Sequence, residues 1–103
     1  MDSGKVRTKI GRHGRLRLKF LKEEMKPVYT KMLMKDTLTD YLLEVDARAT
    51  DMENMLINEM KKYQNIDEKL KKKDQMKWVG AMNMIAYSAR EMILGKYINT
   101  YNI

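Results

Sequence analysis

The sequence predicts an all-α protein, a small bundle of four to five helices built on a long antiparallel helix pair. Helix-forming residue types dominate its 103 residues, which include 11 methionines and 21 lysines and arginines. Valine and threonine are few, and no two-residue hairpin turn is present, so strands are not expected. Apolar residues recur at spacings of three and four, the period of an amphipathic helix. We expect one helical domain over residues 10–103, preceded by a disordered basic segment at residues 1–9.

The third and last predicted helices have the clearest periodicity. The third follows Thr37 and runs to about Tyr63, and Thr37 with Asp40 resembles a capping box. The last follows a capping Asp74 and reaches at least Leu94. In each helix, apolar residues alternate between spacings of four and three, which favours an antiparallel pair. The two stripes are Leu38, Leu42, Val45, Ala49, Met52 and Leu56 in the third helix, and Trp78, Met82, Ile85, Ala89 and Met92 in the last.

Two shorter helices, Gly14–Lys26 and Pro27–Lys35, are predicted before this pair. They are separate because Pro27 lacks the backbone N–H that a continuous helix requires. A second capping pattern, Asn65 with Glu68, predicts a short helix before the last one.

The last helix is apolar around more than half of its circumference, so we expect it in the middle of the bundle. Trp78 is expected to be a core anchor. Asn83 and Arg90 interrupt an apolar line on this helix, so both are expected to be buried. A buried Arg90 would need a carboxylate of the third helix, because an unpaired charge in a core is strongly destabilising.

Charge is distributed in blocks along the chain, whose net charge is +7. Residues 1–35 contain 11 bases and 3 acids, and residues 36–60 contain 1 base and 7 acids. Residues 61–103 contain 9 bases and 4 acids. Such blocks give one small body surfaces of opposite electrostatic potential.

The basic N-terminal block is the candidate nucleic-acid-binding surface. Phosphate recognition requires several cationic donors on one surface, and arginine supplies a forked pair of donors. Gly11 and Gly14 would allow the backbone to approach a ligand closely. The alternative is a solubilising flank whose aliphatic stems cover the core. The candidate residues are Arg7, Lys9, Arg12, His13, Arg15, Arg17, Lys19 and Lys22.

The acidic part of the third helix is the candidate partner-binding surface. Like charges four residues apart repel each other in a helix, by roughly 0.2–0.5 kcal/mol per pair. A cationic partner would relieve this repulsion. That partner is the basic segment of the same chain, a second copy, or a positively charged groove on another protein. The candidate residues are Asp36, Asp40, Glu44 and Asp51.

Several function classes are not supported by the sequence. Cysteine is absent and His13 is the only histidine, which excludes thiolate and multi-histidine metal sites. A Gly-rich phosphate loop, a nucleophile elbow and a catalytic carboxylate pair are also missing. We therefore expect a protein that is not an enzyme and uses no metal or cofactor. Because no long apolar run or signal-peptide core is present, we expect a cytoplasmic protein without a membrane partner.

Three short stretches carry a family resemblance: Ile10-Gly11-Arg12-His13-Gly14-Arg15, Trp78-Val79-x-x-Met82-Asn83 and Glu91-Met92-Ile93-Leu94. With these stretches, residues 10–98 resemble the transposon-encoded TnpV family. The resemblance implies a protein carried by transposons, conjugative elements or phages of low-GC Gram-positive bacteria, without established enzymatic activity. It also implies one of two roles: contacting DNA or RNA as an excision or regulatory factor, or blocking a host defence as an anti-CRISPR protein.

Three functions are therefore consistent with these features. An inhibitor that binds a Cas nuclease or its guide RNA complex, such as Cas9 with guide RNA, needs complementary charge and shape, and both charged surfaces would serve it. A nucleic-acid-binding factor would use the basic surface to contact phosphates more than base edges. A dimerisation module, forming a homodimer, would need an exposed apolar seam, which the last helix offers. Inhibition and nucleic-acid binding rank nearly level, with inhibition first, provided that the charged blocks do not neutralise each other within one molecule.

Overall fold

The computed structural model describes residues 10–102 and contains five helices followed by a π-helical turn. Residues 10–102 contain no strand, and the predicted all-α fold is confirmed. The segment predicted to be disordered, residues 1–9, lies outside the described residues. In the described part of the chain, no helix is both long enough and apolar enough to cross a bilayer. The elements are α1 (Arg12–Glu24), α2 (Lys26–Met34), α3 (Leu38–Tyr63), α4 (Glu68–Lys73), α5 (Gln75–Ile93) and the turn Leu94–Ile98.

The predicted antiparallel pair consists of α3 and α5. Ile93, at the C-terminal end of α5, shares a core cluster with Ala49 in the middle of α3. Trp78, near the start of α5, lines the same groove as Lys61 near the end of α3. The two helices therefore run in opposite directions, and α4 packs against α5 in the connection between them. The pair makes the molecule elongated, with dimensions of 55 × 25 × 17 Å.

The helix α1 packs across α3 and, with α2, covers the start of the long helix. Leu21 of α1 and Leu42 of α3 are completely buried in this part of the core. A second part of the core surrounds Ala49, where α3 meets α5 and the π-helical turn. The apolar stripe predicted for α3 faces both parts, and its removal from water provides the main driving force for folding.

A break at Met25 separates α1 from α2. The φ of −136° and ψ of 51° at Met25 lie outside the helical region. Pro27 falls in the first turn of α2, where a missing N–H removes no intrahelical hydrogen bond. The break predicted from Pro27 is confirmed, although the prediction places the two helices one or two residues too far along the chain.

Asp36 and Asn65 end the helices α2 and α3, respectively, in a left-handed conformation, with φ of 58° and 56°. After Asp36, the N–H of Thr37 donates back to the carbonyl of Met32 at 2.9 Å, and the same pattern follows Asn65. Both turns are Schellman motifs, which satisfy carbonyl groups left over at a helix C-terminus. Asn65 therefore terminates α3 and does not cap α4, contrary to the prediction.

Two aspartates cap α4 and α5. Asp67 accepts a hydrogen bond from the N–H of Leu70 at 3.0 Å, and Asp74 accepts one from the N–H of Lys77 at 3.1 Å. The cap predicted at Asp74 is confirmed. Thr37 precedes α3 as predicted, but its side chain forms no capping hydrogen bond with that helix. The capping-box prediction for α3 is therefore wrong.

The helix α5 lies at the edge of the bundle. The prediction that it lies in the middle is therefore wrong. Ile85, Ala89 and Ile93 are buried on one side, whereas Met76 and Met84 are exposed on the other. The reason is topological: α3 packs on one side of α5, while α1 packs principally against α3. The opposite side of α5 is left without a covering helix in the described part of the chain.

Asn83 and Arg90 are exposed, which contradicts the prediction of a buried arginine paired with α3. Arg90 forms no ion pair with any residue between 10 and 102. Trp78 is partly buried at the surface of the molecule, and Lys71 Nζ lies 4.7 Å from the centroid of its ring. The expected core anchor is thus a residue at the edge of the core.

Candidate partner-binding surfaces

The carboxylate of Asp46 docks the N-terminus of α1 onto α3. The N–H of Gly11 donates to Asp46 Oδ2 at 3.2 Å, and the N–H of Gly14 donates to Oδ1 at 2.9 Å. The first N–H groups of a helix have no intrahelical acceptor, and the helix dipole favours an anion at this end. Because Gly11 has no capping side chain, a carboxylate from the neighbouring helix takes that place.

Both glycines are required by the closeness of α1 to α3. A Cβ atom on Gly11 would lie 2.8 Å from Asp46 Oδ2. A Cβ atom on Gly14 would lie 3.1 Å from the backbone oxygen of Leu42 and 3.1 Å from Cβ of Ile10. The sequence predicts that these glycines let the backbone approach a ligand closely. The group that they approach is a carboxylate of the same chain.

Glu53, seven residues beyond Asp46 and on the same side of α3, binds the two side chains that follow Gly11. Arg12 Nη2 donates to Glu53 Oε2 at 3.2 Å, and His13 Nε2 donates to Oε1 at 2.8 Å. With His13 donating from Nε2, its Nδ1 is buried and has no hydrogen-bond partner among the described residues. Two carboxylates of α3 therefore neutralise the start of α1.

These contacts lower the pKa of the Glu53 carboxyl below its usual value of 4.5. Partial burial acts in the opposite direction, because it disfavours the charged form. The hydrogen bond and charge of His13, followed by those of Arg12, outweigh this effect. Glu53 is therefore a carboxylate at neutral pH, and its contact with Arg12 is an ion pair.

Arg17 is buried, with 1% of its surface exposed. Its Nε donates to the hydroxyl of Tyr41 at 3.0 Å, and its guanidinium carbon lies 5.5 Å from the ring centroid of Phe20. The remaining donors bind three backbone carbonyl oxygens of the C-terminal segment: those of Ile98 at 2.8 Å, Thr100 at 2.6 Å and Asn102 at 3.0 Å. Arg17 thus ties the end of the chain to α1 and α3.

The predicted nucleic-acid-binding set is wrong at two positions. His13 and Arg17 are buried, and His13 Nε2 and the Arg17 guanidinium contact other parts of the same chain, so neither presents charge to a nucleic acid. Arg12 remains partly exposed, but it contacts Glu53. Arg7 and Lys9 lie outside the described residues.

A smaller basic stripe of α1 remains exposed: Arg15, Lys19 and Lys22. Their spacings of four and three place the three residues on one side of the helix. Within residues 10–102, none of them forms an ion pair. With Leu18 and Glu23 they line a shallow groove of about 490 Å³. This stripe is the part of the predicted basic surface that the structure leaves available.

The predicted acidic surface is exposed throughout. Asp36 lies at the end of α2, and Asp40, Glu44 and Asp51 follow one side of α3. Glu44 contacts Arg48 at 2.6 Å, and the other three carboxylates form no ion pair within the described residues. No group of three or more His, Asp or Glu side chains in residues 10–102 is arranged to hold a metal ion. The carboxylates that bind α1 are Asp46 and Glu53, on the other side of α3, and sequence reasoning missed both.

A second basic surface lies at the opposite end of α3, around its connection to α5. Six of its seven lysines are exposed, and the seventh, Lys61, is partly buried. The acids Asp67, Glu68 and Asp74 lie among them. The set is Lys61, Lys62, Lys69, Lys71, Lys72, Lys73 and Lys77. The three consecutive lysines at 71–73 are the sequence signal for this surface, which the predicted basic surface does not include.

Comparison with protein families agrees with the resemblance in the sequence. The family model of the transposon-encoded protein TnpV matches residues 1–98, nearly the whole chain. The chain belongs to the TnpV family. It is therefore a mobile-element protein. No curated protein and no solved structure shows a significant match to it. In this TnpV protein, the Gly11–Gly14 stretch that carries part of the resemblance forms the contact between α1 and α3.

Replacing Gly14 with alanine should destabilise this TnpV protein, and the same replacement at Gly80 should stabilise it. At Gly14 the new methyl group meets the backbone oxygen of Leu42, which cannot move without shifting α3, so we expect a loss of about 1–3 kcal/mol. At Gly80 a Cβ atom meets no described atom within 4 Å, so the helix propensity of alanine should add about 0.5–1 kcal/mol. Urea unfolding of dilute protein measures both. A stabilised Gly14→Ala variant would disprove the close docking of α1.

Replacing Arg17 with lysine should destabilise the TnpV fold by roughly 3 kcal/mol or more, although the charge is kept. One ammonium group has three donors and cannot replace the four hydrogen bonds that the planar guanidinium forms with Tyr41 and three carbonyl groups. Thermal unfolding is the measurement, and Arg15→Lys is the matched control because Arg15 is exposed. Equal melting temperatures for the two variants would contradict a buried Arg17.

The stability of the TnpV fold should fall at acidic pH because of Glu53. The pKa of Glu53 is lower in the folded state than in the unfolded state, where it is near the usual 4.5. Glu53 therefore makes its full contribution to stability above pH 4.5, and this contribution is lost as the pH falls through the folded-state pKa. Wild type should therefore exceed Glu53→Gln in stability at neutral pH, and the difference should narrow below pH 4.5. Urea unfolding across a pH series tests this. A difference that stays constant down to strongly acidic pH would show that Glu53 ionisation is irrelevant.

Proposed function

We propose that this TnpV-family protein acts by binding and inhibits an RNA-guided Cas nuclease, such as Cas9 with its guide RNA. The observation that supports the proposal best is the acidic stripe of α3, which remains exposed after α1 has docked. The proposal includes no catalytic step and no cofactor. It places the protein in the cytoplasm of a bacterial host, where such a nuclease acts.

The acidic stripe resembles a nucleic-acid backbone in presenting a row of negative charges. Asp40 and Asp51 are eleven residues apart on one side of α3, so their charges span about 16 Å along its axis. Cas nucleases hold nucleic acid in a positively charged channel, and a row of fixed carboxylates complements such a channel. A docking groove of this kind would also supply a cationic partner for Asp40 and Asp51, whereas Glu44 already contacts Arg48.

The exposed basic stripe supports contact with guide RNA. Arg15, Lys19 and Lys22 project from α1 on one side, and the internal ion pairs of α1 use other residues, Arg12 and His13. The contacts with α1 occupy Asp46 and Glu53, which are partly buried, and leave the acidic stripe available. Opposite charges on one rigid body then allow simultaneous contact with a ribonucleoprotein's RNA and with its protein channel.

A second candidate function is nucleic-acid binding without a nuclease, as an excision or regulatory factor of a transposon. The observation that favours it is the lysine-rich end of the molecule, which lies far from the stripe on α1. Lysine ammonium groups bind phosphates by charge and carry little sequence information. This candidate therefore predicts binding to any RNA or DNA, with an affinity that falls steeply with salt.

Binding to immobilised Cas9, with and without guide RNA, tests the first candidate against gel shifts with free RNA and DNA. We expect wild type to be retained by the nuclease, and Asp40→Lys to weaken retention by about tenfold because it places a cation in the acidic stripe. Arg15→Glu combined with Lys19→Glu should weaken only the binding that requires guide RNA. Arg15 and Lys19 are exposed in the middle of α1, so the melting temperature of that variant should change little. Asp40 lies in the first turn of α3, where the helix dipole favours an anion, so Asp40→Lys should cost about 0.3–1 kcal/mol of stability, and the variant should still be folded.

The matched control is Glu59→Lys, the same charge reversal on the same helix. Glu59 is exposed but lies about 100° around α3 from Asp40, outside the stripe. It should leave retention unchanged. Salt-sensitive gel shifts without retention by the nuclease would select the second candidate. Retention that Asp40→Lys and Glu59→Lys weaken equally would remove the acidic stripe from the mechanism.

A further inference from the structure

The helix α5 has an apolar face that the fold does not cover. Ile85, Ala89 and Ile93 face the core, whereas a row of apolar side chains lies on the opposite side. These residues form two pairs, three residues apart within each pair and five between the pairs, so they make a strip along this side that Gly80 and the exposed Asn83 interrupt. Its members, with exposed fractions, are Met76 (84%), Val79 (40%), Met84 (68%) and Tyr87 (61%).

A gap lies within this strip at Gly80. A Cβ atom built on Gly80 would meet no described atom within 4 Å, so the helix backbone is open to the surface there. A glycine in the interior of an exposed helix costs about 0.5–1 kcal/mol relative to alanine. Close approach of another chain is a use for such a residue, because the missing side chain lets two helices come together.

We propose that this face binds the same face of a second copy, with the two α5 helices antiparallel and crossing at Met84. We choose a second copy as the partner because of the charges that flank the strip. Lys77 and Glu91 lie seven residues before and seven residues after Met84, on the same flank of the strip. In an antiparallel pair centred on Met84, Lys77 of each copy lies beside Glu91 of the other.

The two-fold symmetry of this arrangement forms the Lys77–Glu91 contact twice, as expected for an interface in which both copies use the same patch. Tyr87 of one copy then lies near Gly80 of the other, where the missing side chain leaves room for its ring. A parallel arrangement is disfavoured, because it would place Lys77 beside Lys77 and Glu91 beside Glu91. The charges therefore select both the partner and its direction.

The interface uses none of the residues on which the proposed function rests. Asp40, Glu44 and Asp51 lie on α3, and Arg15 and Lys19 lie on α1. Pairing through α5 would give the assembly two copies of each charged surface. Failure of the dimer and failure of nuclease binding are therefore separate results.

Site-directed cross-linking tests the register, because the chain has no cysteine of its own. In Met84→Cys the two thiols meet at the crossing point, and a short thiol-reactive cross-linker should join two copies. In Met76→Cys the two thiols are about 24 Å apart along the axis, so the same reagent should not join them. The matched control on another helix is Met55→Cys, which is half exposed on α3. Equal cross-linking at all three positions would overturn the proposal.

Sedimentation equilibrium of the unmodified chain supplies the second measurement. We expect a monomer–dimer equilibrium that Met84→Lys weakens by about tenfold or more, whereas Met34→Lys, a control on α2, leaves it unchanged. Lys77→Glu and Glu91→Lys should each weaken the dimer, and the double exchange should restore it. A monomer at every concentration, or a double exchange that is no better than the single ones, would disprove the antiparallel dimer.

Discussion

The fold depends on one interaction, the capping of α1 by the carboxylate of Asp46 on α3. A helix that starts at a glycine has no side chain to satisfy its first N–H groups, and here two of them bind both oxygens of one carboxylate. These two hydrogen bonds are possible only because Gly11 and Gly14 let the backbones of α1 and α3 come close. Once α1 is held at this angle, its apolar side, including Leu21, reaches Leu42, and Arg17 reaches the carbonyl groups of the C-terminal segment.

This docking divides the basic segment into two groups with different roles. Arg12, His13 and Arg17 bind other parts of the chain, whereas Arg15, Lys19 and Lys22 point to solvent. A charge that is buried and fully paired contributes to the specificity of the fold, whereas an exposed charge contributes to the electric field around it. The same division applies to α3, where Asp46 and Glu53 serve the fold and the stripe from Asp40 to Asp51 faces outward.

The elongated shape separates the charged surfaces from one another. The stripe on α1 lies beside the first half of α3, and the lysine-rich end lies where α3 turns back towards α5. Since α5 packs against α3 on one side, the strip from Met76 to Tyr87 remains uncovered on the other. This mobile-element protein thus presents both charged and apolar side chains to solvent.

The sequence by itself determined the helices, because apolar periodicity and the position of Pro27 are local signals. The all-α class, the α3–α5 pair and the cap at Asp74 could all be predicted from it. The positions of the basic residues between 12 and 22 are also evident in the sequence, but which of them are buried and which are exposed is not. Whether Arg17 or Arg15 meets solvent depends on the rotation of α1 against α3, which is a property of two segments in contact. The same is true of Asp46 and Glu53, which are the same residue types as Asp40 and Glu44 and lie on the same helix. Only the tertiary structure decided which carboxylates face α1, because burial depends on long-range packing that short-range spacing does not encode.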